Sequence, residues 1–221
     1  MENFEIRQTN DGSKTIYLSS IDETYHSSHG AVQEAKHVFL EHGLSYVDSI
    51  NDEEINVFEM GFGTGLNALL TATWSMKKQR KVNYTGIELY PVPEIIWQQM
   101  DYAERSEDEQ LYIQLMKASW EKDQNIHPYF QLRKINENVK EVKLDTKVDL
   151  IFYDAFGPRA QAEMWELPIL TKMHELLKTG GVFVTYCAQG QMKRNLTSLG
   201  FTVESLPGPP GKREMTRAIK N

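Results

Sequence analysis

The stretch Ile55-Asn56-Val57-Phe58-Glu59-Met60-Gly61-Phe62-Gly63-Thr64-Gly65-Leu66-Asn67 decides the fold. Its first six residues form a short apolar run of buried-strand type. Three alternating glycines follow, and Leu66, Leu69, Leu70 and Thr73 then recur at helical spacing up to Gln79. Glycine lets a strand-to-helix turn take positive φ and lets a ligand approach the backbone closely. The helix behind the turn offers free N–H groups and the positive end of its dipole. A dinucleotide fold needs G-x-G-x-x-G, and Leu66 stands where its third glycine belongs.

Outward from this turn the chain alternates. Val82 to Leu89, Tyr129 to Arg133, Val148 to Tyr153, Gly181 to Cys187, Phe201 to Leu206 and Met215 to Ile219 read as strands. Pro91 to Arg105, Asp108 to Trp120, Ala160 to Leu177 and Gln191 to Leu199 read as helices. Alternation of this kind predicts an α/β fold with a mostly parallel seven-stranded sheet, helices on both faces and ligands at the carboxyl ends of the strands. Residues 55–221 form the expected domain. Residues 1–54 form an N-terminal extension: a hairpin of Phe4 to Gln8 with Thr15 to Leu18 around Asp11-Gly12, then a helix from Ala31 to His42.

Chemistry is expected just after the strands. Glu88 ends the second strand, 27 residues past Gly61, where an acid can accept hydrogen bonds from both ribose hydroxyls. Asp154-Ala155-Phe156-Gly157-Pro158 follows Val148 to Tyr153, and the Gly-Pro pair separates Asp154 from the next helix, against a simple N-cap role.

Composition bounds the rest. The 221 residues are 40% hydrophobic and 25% charged, ordinary for a soluble globular chain. One cysteine, Cys187, excludes an internal disulfide. No signal-peptide pattern opens the chain and no run approaches the ~18 apolar residues of a membrane span. A cytoplasmic location with no membrane partner is expected, with a monomer favoured. The net charge of −7 argues against a broadly basic nucleic-acid surface. Lys193, Arg194, Lys212, Arg213, Arg217 and Lys220 nevertheless make the last 30 residues the most basic part. His26 and His29 share a loop without a carboxylate or cysteine cluster, so no metal is expected.

The G-x-G-x-G turn with Glu59 two residues before it resembles motif I of class I methyltransferases, which wraps S-adenosylmethionine. The strings Glu59 to Asn67, Asp154 to Pro158 with Met164-Trp165, and Gly211-Lys212-Arg213-Glu214-Met215 together resemble the tRNA 5-aminomethyl-2-thiouridine methyltransferase family. This is the methyltransferase domain of the bifunctional MnmC enzymes. The resemblance extends to Tyr25, Ser27, Gly30, Glu34 and Val38-Phe39-Leu40. With no oxidase domain in the chain, a stand-alone form without flavin is expected.

The resemblance implies methyl transfer from S-adenosylmethionine to the primary amine of 5-aminomethyl-(2-thio)uridine at the tRNA wobble position, with S-adenosylhomocysteine as second product. It implies cofactor contacts from Glu59, Gly61, Gly63, Gly65, Asn67, Glu88, Asn136 and Tyr25. Asp154 becomes the group that orients and deprotonates the amine. Phe156 and Trp165 could stack on an extruded base, and Lys212 and Arg213 could contact anticodon phosphates. Lys134 stands where an acid often lies near the adenine, which leaves Asn136 or a backbone carbonyl as reader. A small-molecule N-methyltransferase on the same fold, a nicotinamide oxidoreductase and a non-catalytic module are the rival readings.

Overall fold

A computed structural model describes residues 4–102 and 109–221. The chain opens with β1 (Phe4–Gln8), β2 (Lys14–Leu18) and β3 (Glu23–Thr24), a small antiparallel sheet in the order β1-β2-β3. A long helix follows: α1 (Ala31–Ala35), a π-helical segment (Lys36–Leu44) and α2 (Ser45–Ile50). The expected helix thus runs beyond His42. Val38, Phe39, Leu44 and Val47 are buried along it.

The main elements are β4 (Ile55–Met60), α3 (Leu66–Lys78), β5 (Val82–Ile87), α4 (Glu94–Trp97), α5 (Glu109–Lys117), β6 (Asp123–His127), β7 (Phe130–Ile135), β8 (Val148–Tyr153), α6 (Leu167–Leu176), β9 (Leu177–Thr185), α7 (Gly190–Ser198), β10 (Phe201–Pro207) and β11 (Glu214–Lys220). They build an eight-stranded sheet in the order β10-β11-β9-β8-β4-β5-β7-β6. β4, β5, β7, β8 and β9 are parallel, whereas β11 runs antiparallel to both its neighbours and β6 antiparallel to β7.

Three differences from the sequence reading have physical causes. The eighth strand, β6, is Asp-Gln-Asn-Ile-His at the sheet edge, and its polar residues carry no burial period. The helix expected from Pro91 begins only at Glu94, as the short α4, because Pro93 disfavours helical backbone at Val92 before it; its stretch from 103 to 105 lies outside the described residues. The helix expected from Ala160 is split. A 3-10 turn (Ala162–Trp165) ends at Glu166, which is extended (φ −85°, ψ 163°) and precedes the Pro-containing first turn of α6.

Two cores flank the sheet. On one face Ile55, Val57, Leu150, Phe152 and Val184 pack with α3 and the long N-terminal helix, including Val38 and Phe39. On the other, Phe58, Ile151, Tyr153 and Phe183 pack with α6 and α7 through Leu170, Met173, Met192 and Leu196. The N-terminal segment therefore shares the domain's core. The chain leaves β4 toward β5 and β7 on one side, and β8 leads to β9 on the other. The carboxyl ends of β4 and β8 meet at this switch point, with Met60 paired to Tyr153.

Candidate active site

The glycine turn sits at that switch point. Gly61 and Phe62 donate their N–H groups to Ile87 O at 3.1 and 2.9 Å, and Asp154 N donates to Met60 O at 3.0 Å. These bonds fix three strand ends around one space. Gly61 has φ +89°, and a Cβ there would lie 2.8 Å from Asp154 O. The position requires glycine for its dihedral and for its close approach.

A cavity of about 550 Å³ opens beside the turn. Glu59, Gly61, Gly63, Asn67, Glu88, Asp154 and Phe156 line it, with Tyr25, His26, Glu34, Tyr186 and Lys212 contributed by more distant parts of the chain. Its lining holds six carboxyl groups, from Glu23, Glu34, Glu59, Glu88, Glu137 and Asp154, and among the described residues Lys212 is the one lysine or arginine there.

Glu59 is 1% exposed. Burial pushes its carboxyl well above the usual range, and the nearby Asp154 and Glu88 add to the shift while Tyr84 and Asn67 oppose it. Asn67 Nδ2 donates to Glu59 Oε1 and to Asp154 Oδ2, both at 2.9 Å. Asp154 is pushed up to about 7, first by burial and then by Glu34, with Asn67 and Lys212 pulling it down. Glu88 accepts the Gly63 N–H and the Tyr90 N–H, each at 3.0 Å, so its carboxylate braces the turn from the cavity wall.

The N-terminal segment covers the site. Tyr25 packs edge-on against Phe156, with ring centroids 5.1 Å apart, and lies over Gly63, whose Cβ would come within 3.1 Å of its ring. Asp11 anchors this cover by accepting the N–H groups of Ser13 and Gln33 at 2.9 and 3.1 Å, the second from the first turn of α1. His26, half-buried beside Thr15 and Tyr102, is pushed down to about 4 by desolvation.

Several expected residues stand elsewhere. Trp165, expected against a base, is 3% exposed, does not line the cavity, and donates its indole N–H to Phe156 O at 2.7 Å. It holds the Phe156 backbone from the core, and a buried ring cannot present a face to a ligand. Asn136 is exposed and ties the β5 and β7 loops together by donating to Glu88 O at 2.8 Å and Leu89 O at 3.0 Å; Glu137 and Asn138 line the cavity in its place. Gly65 (φ +74°) packs beneath the turn, where a Cβ would meet Met116 Sδ at 2.6 Å. Lys134 is buried below it, with Nζ donating to Met116 O at 2.7 Å near the faces of Trp120 and Phe62.

Lys212 turns inward to Glu34 and Tyr186, whereas Arg213 is exposed. The basic tail is largely self-paired: Lys193 to Glu214, Arg217 to Glu204, and Lys220 to the carbonyls of His174 and Leu177. His29 packs on Gly211 and does not join His26. Among the described residues, His37, Glu41 and His42 do cluster, outside the cavity lining. Tyr186, Glu34 and His26 owe their places to tertiary contacts. The one local signal was Glu34, an acid set in the otherwise apolar stripe of α1.

A family model described as S-adenosyl-L-methionine-dependent methyltransferase matches residues 105–221, over half of the chain. The chain belongs to this methyltransferase family. Curated relatives include the tRNA 5-methylaminomethyl-2-thiouridine biosynthesis bifunctional protein MnmC of Cupriavidus metallidurans, 31% identical over 225 residues, which cover 95% of this chain and 33% of that protein. The protein of the same name from Hydrogenovibrio crunogenus is 26% identical over 230 residues, covering 97% and 34%. The methyltransferase thus spans about one third of the length of these relatives. The crystal structure of MNMC2 from Aquifex aeolicus superposes with a TM-score of 0.77 at 27% identity, covering 99% of this chain and 70% of that one. Spermidine synthase from Thermotoga maritima, at 13% identity and a TM-score of 0.56, shares the fold.

The cavity fits the family's methyl donor. S-adenosylmethionine carries a sulfonium and an ammonium beside one carboxylate, and a lining rich in carboxyl groups suits this net cation better than a pyrophosphate. A Cβ at Gly61 would strike Asp154 O at 2.8 Å and one at Gly63 would crowd the Tyr25 ring at 3.1 Å, so the turn presents bare backbone at the cavity wall. The cavity's volume is that of a small-ligand site.

Proposed function

We propose that this methyltransferase methylates the primary amine of 5-aminomethyl-(2-thio)uridine at the wobble position of tRNA, giving the 5-methylaminomethyl nucleoside. The observation that carries the reading is Asp154: a half-buried carboxyl at the carboxyl end of β8, beside the glycine turn, poised near neutrality. The names of the MnmC relatives support the substrate.

S-adenosylmethionine supplies a methyl group already activated on sulfur, so the protein's task is to position the acceptor and manage its proton. An alkylamine has a pKa near ~10 and arrives mostly protonated at neutral pH. Asp154 accepts that proton and holds the freed lone pair on line. A base titrating near 7 is strong enough to share the proton and weak enough to release it. Asn67 fixes the carboxyl, and the cover of Tyr25 and Phe156 excludes water and offers an aromatic wall to the uracil ring.

Gly61, Gly63, Glu59 and Glu88 would hold the donor, with Glu137 or Asn138 near its adenine. Residues 55–221 carry the chemistry, and the extension closes over it through Tyr25 and Glu34. Arg213 remains available to phosphate, and a cytoplasmic tRNA is the expected partner.

The self-paired basic tail favours a second reading, a small-molecule N-methyltransferase. One experiment separates the two. Bulk tRNA from cells lacking this protein is incubated with the enzyme and methyl-labelled S-adenosylmethionine, digested, and examined by mass spectrometry. Label in 5-methylaminomethyl-(2-thio)uridine is expected. Absence of label, with the aminomethyl nucleoside present and the donor bound, would favour the small-molecule reading.

A further inference from the structure

Lys212 enters the cavity from the turn before β11. Its ammonium stands 2.7 Å from Glu34 Oε2 and 3.8 Å from the centroid of the Tyr186 ring. Glu34 is 8% exposed and rises from the buried stripe of α1. A carboxylate at such a place needs a counter-charge, and a lysine so confined gives up rotamer freedom that a surface lysine keeps. Opposite ends of the chain are brought together to make this pair. Asp11 sets the start of α1, and the His29 ring packs on Gly211 in the turn that carries Lys212.

The pair lines the same cavity as Asp154, and Tyr186, whose ring lies under the Lys212 ammonium, donates its hydroxyl to Ala155 O at 2.8 Å, next to Asp154. From there the anion of Glu34 favours the protonated carboxyl and the cation of Lys212 the ionised one. Other charged or titratable groups near Asp154 are Glu59 on β4, Tyr84 on β5, Glu88 after β5 and Tyr186 with Cys187 after β9. His26 lines the same cavity from the loop before α1. Glu59 is pushed well above its usual range by burial and takes the Asn67 amide, and Glu88 is occupied with the backbone of the turn. Glu34 and Lys212 are therefore the groups free to set the charge on Asp154.

We propose that Glu34 and Lys212 are positioning residues acting as opposed electrostatic settings on Asp154: the anion keeps it basic enough to take the acceptor's proton, and the cation keeps it able to ionise. The inference rests on Asp154 being the base for the acceptor amine. It gives Lys212 a role inside the site in place of a phosphate contact, and it makes the N-terminal segment part of the catalytic electrostatics.

The test compares wild type with Lys212→Met, Glu34→Gln and the double variant. Two readouts are used: the acid limb of the kcat/KM–pH profile, and the titration of the Asp154 carboxyl carbon by NMR in the donor-free protein. Lys212→Met is expected to move both upward and Glu34→Gln to move both downward, each by about half a unit or more. The double variant should return close to wild type. A half-unit shift changes kcat/KM about threefold at pH values below the limb. Lys212→Arg keeps the cation and should keep the limb, which guards against Lys212→Met failing to fold. Shifts in the same direction, or a loss of activity with no shift, would overturn the proposal. If wild type methylates no tRNA, the substrate reading fails, and the NMR titration alone still decides the pair.

Discussion

Glu59 and Asp154 are joined through a single nitrogen: Asn67 Nδ2 lies 2.9 Å from an oxygen of each. The two acids are thereby held in one array yet given different tasks. Desolvation pushes Glu59, 1% exposed, well above its usual range, while Asp154 is pushed up to about 7. Both carboxyl groups thus hold protons more tightly than free acids do, as acid–base chemistry at neutral pH requires.

Asp154→Asn separates binding from chemistry. The amide is isosteric and cannot take a proton from the acceptor. Turnover is expected to fall by about 10²–10⁴-fold, while the thermal shift on adding S-adenosylmethionine persists. In wild type, activity should rise with pH toward about 7, or to a lower value once the donor's positive charge is in place. A variant retaining more than a tenth of wild-type turnover would remove Asp154 from its role.

The same carboxyl makes the donor-free protein's stability depend on pH, with a fixed sign. Its folded pKa of about 7 lies above its ordinary 3.8. Between these values the native state binds more protons than the unfolded chain, so this group's contribution is full below pH ~4 and is lost as pH rises through 7. Asp154→Asn removes that loss. Donor-free Asp154→Asn should melt several degrees above wild type at pH 8, with the gap narrowing by pH 5 and closed below pH ~4. Equal melting temperatures at pH 8 would mean that Asp154 ionises without cost.

Much of this was legible in the chain because it rests on local rules. Ile55 to Met60 and Val148 to Tyr153 are apolar runs bounded by polar or glycine residues, and both are strands with those limits. Gly61 and Asp154 then had to fall at neighbouring strand ends once the sheet was parallel. Lys212 was not legible in its true place. Nothing within its own turn says that its ammonium meets Glu34, 178 positions earlier. Trp165 misled for the same reason: a tryptophan after a loop reads alike whether it faces a ligand or, as here, Tyr153. β6 was invisible because an edge strand needs no alternation to pair.

Asn67→Ala tests the bridge itself. It leaves a buried Glu59 oxygen and an Asp154 oxygen without their shared donor, a cost of about 1–3 kcal/mol. For a chain of this size that corresponds to a melting temperature lower by roughly 2–10 °C. Because Asn67 helps hold the Asp154 carboxyl down, its removal should also move the acid limb of the rate profile upward. A drop in stability with an unmoved limb would show that Asn67 serves the fold alone.

Gly61→Ala tests the turn against a matched control. Gly61 (φ +89°) and Gly200 (φ +92°) share a backbone conformation that alanine adopts only with strain. A methyl group at Gly61 would strike Asp154 O at 2.8 Å, whereas nothing lies within 4 Å of one at Gly200. Gly200→Ala should therefore cost about 1–2 kcal/mol and leave donor binding intact. Gly61→Ala should cost more and abolish donor binding by calorimetry. Comparable donor affinity in the two variants would refute the close-approach argument.

Glu88→Gln tests whether the β5 carboxylate holds the donor or merely the turn. In the structure its two oxygens accept the N–H groups of Gly63 and Tyr90, and the ribose of a bound nucleoside would have to share them. The amide keeps one acceptor and presents an NH2 to the other N–H, so both the turn and the ribose lose a charged partner. Affinity for S-adenosylmethionine is expected to fall by about 10–100-fold, the loss of one or two charge-assisted hydrogen bonds. kcat at saturating donor should change little, because Glu88 acts on Glu59 rather than on the base. S-adenosylhomocysteine, which has the same ribose but no sulfonium, should weaken equally. If only S-adenosylmethionine weakens, Glu88 is instead a counter-charge to the sulfonium, and the ribose contact must come from elsewhere on the cavity wall.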